Sequence, residues 1–171
     1  MSDCTIRLAT TEDAAFFPGI ERSAGAAFLS IAGLEWIADD EVMSADQHRI
    51  WIAQGTVWVA IAAGRCIGFV TTAIYDASLH IIELSVADGH QGRGIGRRLL
   101  EAARDHAEAG GLQDITLTTF RGLPFNEHFY HKLGYRTLAT TELPQRLADI
   151  LQAEIGKGLP GDRRCAMRLK L

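Results

Sequence analysis

Gly92, Gly94 and Gly96 stand at every second position between a run of alternating apolar residues and a helical run. The segment reads Glu83-Leu84-Ser85-Val86-Ala87-Asp88-Gly89-His90-Gln91-Gly92-Arg93-Gly94-Ile95-Gly96-Arg97-Arg98-Leu99-Leu100. It predicts a strand, a tight loop and a helix in direct succession. Glycines leave the loop backbone bare and permit positive φ. The first amides of the following helix lack intrahelical acceptors, and the helix dipole puts positive charge at the same end. Such a turn suits an anion, a pyrophosphate above all.

The flanking sequence embeds this unit in a mixed sheet. Cys4–Leu8 alternates with a period of two, as a strand does. Thr10 to Asp13 supplies a capping residue and an acidic first turn for a helix over Ala14–Phe28, stopped by Gly33. A second helical stretch is predicted from Leu34 to Gln54. Val57–Ala62 and Ile67–Ile74 read as a hairpin around Ala63-Gly64-Arg65. Leu79–Ala87 is the next strand. Arg97–Ala109 is a helix with Leu99, Leu100, Ala103 and Ala107 on one face, ended by Gly110-Gly111. Ile115–Phe120 is a strand, and Pro124–Leu133 a short helix closed by Gly134. Tyr135–Ala139 is a further strand, Leu143–Ile155 an amphipathic helix, and Ala166–Leu171 a last strand. The order gives an α/β chain with a mixed sheet. Its one parallel crossover, from Leu79–Ala87 through the helix to Ile115–Phe120, is right-handed by the usual rule.

Bulk properties narrow the function. With 171 residues the chain is expected to form one domain, 1–171, with a core that requires neither disulfide nor metal. The net charge of −4 argues against sequence-independent nucleic-acid binding. No apolar run reaches the length of a spanning helix, so no membrane partner is expected. Met1 to Thr10, with Asp3, lacks the layout of a signal peptide, and a cytoplasmic location is expected. Cys4, Cys66 and Cys165 are odd in number and far apart, which favours reduced thiols over a zinc site or a disulfide framework.

Three phosphate-binding patterns compete for the glycine loop. A Walker loop requires Lys followed by Ser or Thr, and neither pair occurs here. A dinucleotide fingerprint requires G-x-G-x-x-G with an acidic residue ending the next strand. This loop has G-x-G-x-G, and the next strand ends in Thr118-Thr119-Phe120-Arg121. The pattern Q/R-x-x-G-x-G/A is matched in full by Gln91-Gly92-Arg93-Gly94-Ile95-Gly96. With Glu83-Leu84-Ser85-Val86 before it, and Asn126, Phe129-Tyr130 and Leu133-Gly134-Tyr135-Arg136 after it, the chain resembles the GNAT N-acetyltransferases from Ile6 to about Arg136. Asp88-Gly89 replaces the proline common in that family after the strand, and both choices suit a turn.

The resemblance implies a GNAT-like acyl-CoA N-acyltransferase fold, with a mostly antiparallel sheet whose parallel strands splay at the cofactor. It implies acetyl-CoA as cosubstrate and a primary amine as acceptor, with no metal. Leu84, Ser85 and Val86 would pair with the pantetheine arm through their backbone. Gln91, Gly92, Arg93, Gly94, Ile95 and Gly96 would hold the pyrophosphate. Arg97 and Arg98 either add charge there or form a solvated helix face. Asn126 would touch the pantetheine or order its loop. Tyr130 stands where relatives place the acid that protonates the leaving thiolate; the alternative is a core tyrosine. Glu83 is the candidate base for the acceptor ammonium, or a structural carboxylate. Glu21, Arg22, Phe28 and Trp36 are candidate acceptor contacts.

Other features have plainer readings. His128 and His131 beside Glu127 lack a third metal ligand. Cys66 has no histidine motif near it, which disfavours a covalent cysteine mechanism. Trp51 and Trp58 are core candidates. The Leu143–Ile155 and Arg163–Leu171 segments are where relatives form homodimers. A non-catalytic acyl-CoA-binding module on the same fold is the competing function.

Overall fold

The computed structural model describes residues 4–171. The first three residues, on which the reading of the N-terminus partly rests, lie outside them. Seven strands form one mixed sheet: β1 Cys4–Leu8, β2 Val57–Ala62, β3 Arg65–Tyr75, β4 Ser78–Val86, β5 Asp114–Phe120, β6 Arg136–Thr137 and β7 Arg164–Lys170. Their order is β1-β2-β3-β4-β5-β7-β6. β4 and β5 run parallel, with Ser78 and His80 opposite Asp114 and Thr116. β1/β2, β2/β3, β5/β7 and β6/β7 are antiparallel. The mixed sheet is the one expected from the sequence. No described helix is long and apolar enough to cross a membrane.

The helices are α1 Phe17–Gly25, α2 Ala45–Ile52, α3 Ile95–Ala109, α4 Glu127–Lys132 and α5 Gln145–Gly156. Several bounds differ from the sequence reading. The helix expected over Ala14–Phe28 is α-helical only in α1, with 3-10 turns on both sides at Asp13–Phe16 and Ala26–Ser30. The stretch expected from Leu34 to Gln54 is two pieces, a 3-10 turn Glu35–Asp39 and α2. Between them Asp40 is extended (φ −68°, ψ 163°), and Ser44 caps α2 through a reciprocal bond with Gln47. A capping box starts a new helix and ends any earlier one. The hairpin turn is Ala63-Gly64 alone, both at positive φ, so β3 begins at Arg65. Two residues at positive φ match the right-handed twist of the flanking strands. α4 starts at Glu127 instead of Pro124, because Leu123 O accepts the amides of both Asn126 and His128 in a preceding turn.

The chain divides into two compact units, Met1–Ala73 with Ile82–His106 and Ile74–Ile81 with Ala107–Leu171. The division falls inside β3, β4 and α3. The first unit packs Ala14, Phe17, Ile20, Ile52, Val57, Val59 and Phe69. Phe17 and Phe69 stack with centroids 4.0 Å apart, and His48 sets its edge against both at 4.9 and 5.1 Å. Thr56 and Thr72 exchange hydroxyl bonds to each other's carbonyls at 2.7 and 2.9 Å, which satisfies two buried hydroxyls at the strand pair. Arg7 grips Asp13 in a two-pronged pair at 2.7 and 2.9 Å.

In the second unit Leu138, Leu147 and Ala166 form a core under α5. Arg164 spans Glu154, at 2.9 and 3.0 Å, and lies over the Phe120 ring. Glu127 accepts the Gly122 amide at 2.6 Å and the Thr137 hydroxyl at 2.5 Å. It thereby closes the loop between β5 and α4 onto β6.

Candidate functional site

The segment from Glu83 to Leu100 lies wholly in the first unit. It folds as a strand end, a loop and the start of α3, as the sequence predicts. α3 begins at Ile95, so Gly96 is helical and not a loop residue. Gly89, Gly92 and Gly94 are the left-handed positions, at φ 76°, 71° and 77°. No atom lies within 4 Å of where a Cβ would sit on any of them. Glycine is therefore favoured there by backbone conformation and not by crowding. Leu99, Leu100, Ala103 and Ala107 are all buried, which anchors α3 and fixes the end of the helix that closes the loop.

The loop is fastened at few points. The Ala87 amide donates to Ile67 O at 2.9 Å, and the His90 amide donates to Ala87 O at 3.0 Å. The Gln91 side chain donates Nε2–H to Val86 O at 2.9 Å. Gln91 thus braces the strand end with its side chain and occupies one lone pair of the Val86 carbonyl. The Asp88 amide donates to Ser23 Oγ of α1 at 2.9 Å. The amides of Gly92, Arg93 and Gly94 donate to no protein acceptor among the described residues, and these residues are exposed. Arg97 pairs with Glu101 at 2.8 Å on an exposed helix face.

On β4, Ser85 donates to Glu83 Oε1 at 2.6 Å, so both side chains project from one side of the strand. Ser85 is buried and Glu83 half-buried. The neighbouring strand β3 carries Gly68, where a Cβ would come within 3.0 Å of Ser85 O and 3.4 Å of Val86 Cα. A bare β3 position therefore lets the end of β4 lie close.

Also in the first unit, Glu21 of α1 accepts the Met43 amide at 3.1 Å and lies 2.7 Å from His48 Nε2. The Met43 amide holds the carboxylate by a hydrogen bond, whereas the His48 approach is a close contact without hydrogen-bond geometry. Phe28 sits half-buried in the Ala26–Ser30 turn, and Trp36 is 41% exposed in the Glu35–Asp39 turn. Arg22 is exposed. Trp58 is core, edge-on to His106 at 5.3 Å, and Trp51 packs against the Phe17 cluster. Burial drives the Cys66 thiol up to about 11, which leaves it protonated and a poor nucleophile.

Asn126 and Tyr130 lie in the second unit. Asn126 takes an unusual backbone conformation (φ −122°, ψ −104°) at the start of α4. Its Nδ2 donates to Thr119 Oγ1 at 3.0 Å, while its Oδ1 is buried and accepts no bond among the described residues. A buried amide oxygen without a donor is costly unless a ligand or water meets it. Tyr130 is 8% exposed, with its ring against Phe129 and Tyr135 at 5.1 and 5.5 Å. His131 binds Tyr135 O and Thr137 Oγ1, and no group of three or more His, Cys, Asp or Glu able to hold a metal occurs among the described residues. Sequence reasoning passed over Ser23 and Thr119, because each meets its partner across a gap in sequence that no local pattern marks. For His48 a signal existed, since Ile52 stands four residues on along the same helix face.

The description "Acetyltransferase (GNAT) domain" fits residues 53–137. Among solved structures, the PaiA N-acetyltransferase of Thermoplasma acidophilum, in complex with coenzyme A, superposes with a TM-score of 0.76 at 18% identity, over 99% of both chains. YncA of Salmonella typhimurium, solved with its cofactor acetyl-CoA, gives 0.69 at 22% identity, over 99% of this chain and 95% of that one. The ribosomal-protein-S18-alanine N-acetyltransferase of Escherichia coli gives 0.68 at 19% identity, over 98% and 93%. At such identities the likeness speaks for the fold, and the matched segment holds β2 through β6 with the whole glycine loop. Residues 53–137 thus match a GNAT acetyltransferase domain, and the neighbours share the fold of the whole chain.

Proposed function

We propose that this protein transfers the acetyl group of acetyl-CoA to a primary amine. The observation that carries the reading is the loop between β4 and α3. It offers the amides of Gly92, Arg93 and Gly94, which no group among the described residues uses, beside a helix N-terminus. That is the donor set a pyrophosphate requires. The residues present fit coenzyme A. Gln91 to Gly96 hold its phosphates, the backbone of Leu84, Ser85 and Val86 pairs with its amide arm, and the unmet Asn126 Oδ1 accepts from it. The coenzyme supplies an activated acetyl thioester.

The chain's own groups move the protons. Glu83 takes the proton of the acceptor ammonium, directly or through water, so that the nitrogen lone pair becomes available. The new N–C bond forms as the C–S bond breaks. The Leu84 amide faces the oxygen on which charge develops. Tyr130 donates its phenolic proton to the departing sulfur; the nitrogen, cationic once bonded to the acetyl carbon, releases its second proton to solvent as the amide forms, and the Tyr130 phenolate regains a proton from solvent. Phe28 and Trp36 contact the acceptor on the α1–α2 side. Glu21 holds the wall of that site through Met43 as well as contacting the acceptor itself. The protein acts in the cytoplasm, and it assembles as a homodimer through α5 and β7.

Free-thiol release with polyamines, amino acids, aminoglycosides and peptide N-termini tests the reaction. Turnover with at least one acceptor is expected, and Tyr130→Phe should lower kcat by about 100-fold or more. A wild-type protein that binds coenzyme A yet acetylates nothing in the panel would favour the non-catalytic binding module. A Tyr130→Phe variant with full turnover would remove Tyr130 from the chemistry.

A further inference from the structure

The glycine loop has three left-handed residues and is correspondingly free to change shape, so its anion-binding form has to be held from outside. Within the segment 87–94 the bonds of His90 and Gln91 are local. The side chain that reaches the loop from a distant part of the chain is Ser23, whose hydroxyl accepts the Asp88 amide at 2.9 Å across 65 residues of sequence. Ser23 sits in the last turn of α1, two residues beyond Glu21. Positions two apart on a helix point in nearly opposite directions, about 200° around the axis. One face of α1 therefore fastens the Met43 backbone through Glu21, and the other fastens the loop through Ser23. α1 in turn is fixed by the stack of Phe17 on Phe69.

We propose that Ser23 is a positioning residue for the coenzyme, holding the β4–α3 loop through the Asp88 amide and linking it by α1 to the acceptor side. The inference rests on the reading of that loop as the coenzyme A site. Nothing in it requires Ser23 to touch the coenzyme. Loss of the hydroxyl frees the loop to sample other forms, so the coenzyme must pay the ordering cost when it binds. The effect falls on affinity and leaves the protonation steps alone.

Calorimetric titration with free coenzyme A tests this without knowledge of the acceptor. Wild type, Ser23→Ala and Ser23→Thr are compared. Ser23→Ala should bind about three- to tenfold more weakly, the range of one neutral hydrogen bond, and Ser23→Thr should recover the wild-type affinity. The KM for acetyl-CoA should rise by the same factor while kcat holds. Amide exchange at Asp88 should accelerate in Ser23→Ala, and its ligand-free Tm should stay within about 2 °C of wild type. Equal coenzyme affinity in Ser23→Ala and wild type overturns the proposal. A weaker affinity that Ser23→Thr does not recover, accompanied by a lower ligand-free Tm, also overturns it, since that result describes general destabilisation. Failure of the wild type itself to bind coenzyme A overturns the functional reading and this inference with it.

Discussion

His80 shows how a single side chain can be specified by its surroundings. It is buried in β4, and Thr116 Oγ1 lies 3.0 Å from its Nδ1. Arg146 donates Nη2–H to the same hydroxyl oxygen at 3.1 Å. The Thr116 hydroxyl that accepts from Arg146 keeps a second lone pair and its own proton, so it can meet Nδ1 as donor or as acceptor. Desolvation and the nearby Arg146 charge both favour the neutral ring. Burial, with the nearby Arg146 charge, drives its pKa down to about 4. The expected outcome is a His80 ring resonance that titrates near pH 4 in proton NMR, and a midpoint near the ordinary value of about 6.5 would refute the assignment. None of this was legible in the sequence. A histidine in a strand carries no mark of its partner, and Thr116 and Arg146 are brought to it only by the β4–β5 pairing and by α5. The strand, loop and helix from Glu83 to Leu100 were legible for the opposite reason, since they follow one another within a single short stretch of chain.

At the scale of elements, sequence patterns located every strand but set several boundaries wrongly. Hydrophobic alternation marks the middle of a strand, while its ends are decided by turns. Ala63-Gly64 turns in two residues where three were expected, and β3 gains length at its start. The long second helix fails for a similar reason: the apolar spacing continues through Asp40–Met43, but the Ser44 cap and its Gln47 partner restart the helix there. Phe28 and Trp36 therefore stand in short 3-10 turns, which no 3.6-residue periodicity describes. Gly68 belongs to this scale as well. Its neighbours are the backbone of Ser85 and Val86, so Gly68→Ala must push β3 and β4 apart by a few tenths of an ångström where β4 meets the loop. Gly68→Ala is expected to weaken coenzyme A binding by about tenfold and lower Tm by a few degrees, as overpacking of about 1–3 kcal/mol would. An unaltered coenzyme affinity in titration would show that the strand pair yields without disturbing the site.

The whole molecule responds to acid through groups in both compact units. Asp13 in the first and Glu127 in the second are buried carboxylates. Burial by itself raises both, yet Arg7 and the Thr10 amide outweigh it at Asp13, and the Thr137 hydroxyl and Gly122 amide outweigh it at Glu127. Both therefore titrate below the usual carboxylate range. A folded-state pKa below the unfolded one gives stability that is present above the unfolded value and lost as pH falls through the folded one. Buried neutral His80 adds a loss of the same sign between about pH 6.5 and 4. Tm should decline gently below about pH 6.5 and steeply below about pH 4. The Asp13→Asn, Glu127→Gln double variant should start lower at neutral pH and show a flatter acid limb; parallel limbs in a pH series of thermal melts would argue against these two groups. The left-handed glycines of the loop have a further consequence, for how such a chain drifts over generations. Each has open space around the absent Cβ, so replacement there meets no steric barrier and carries only a conformational penalty. Asparagine, which tolerates that backbone region best among the other residues, is the natural visitor at Gly89, Gly92 and Gly94, whereas any side chain at Gly68 has to displace the β4 backbone.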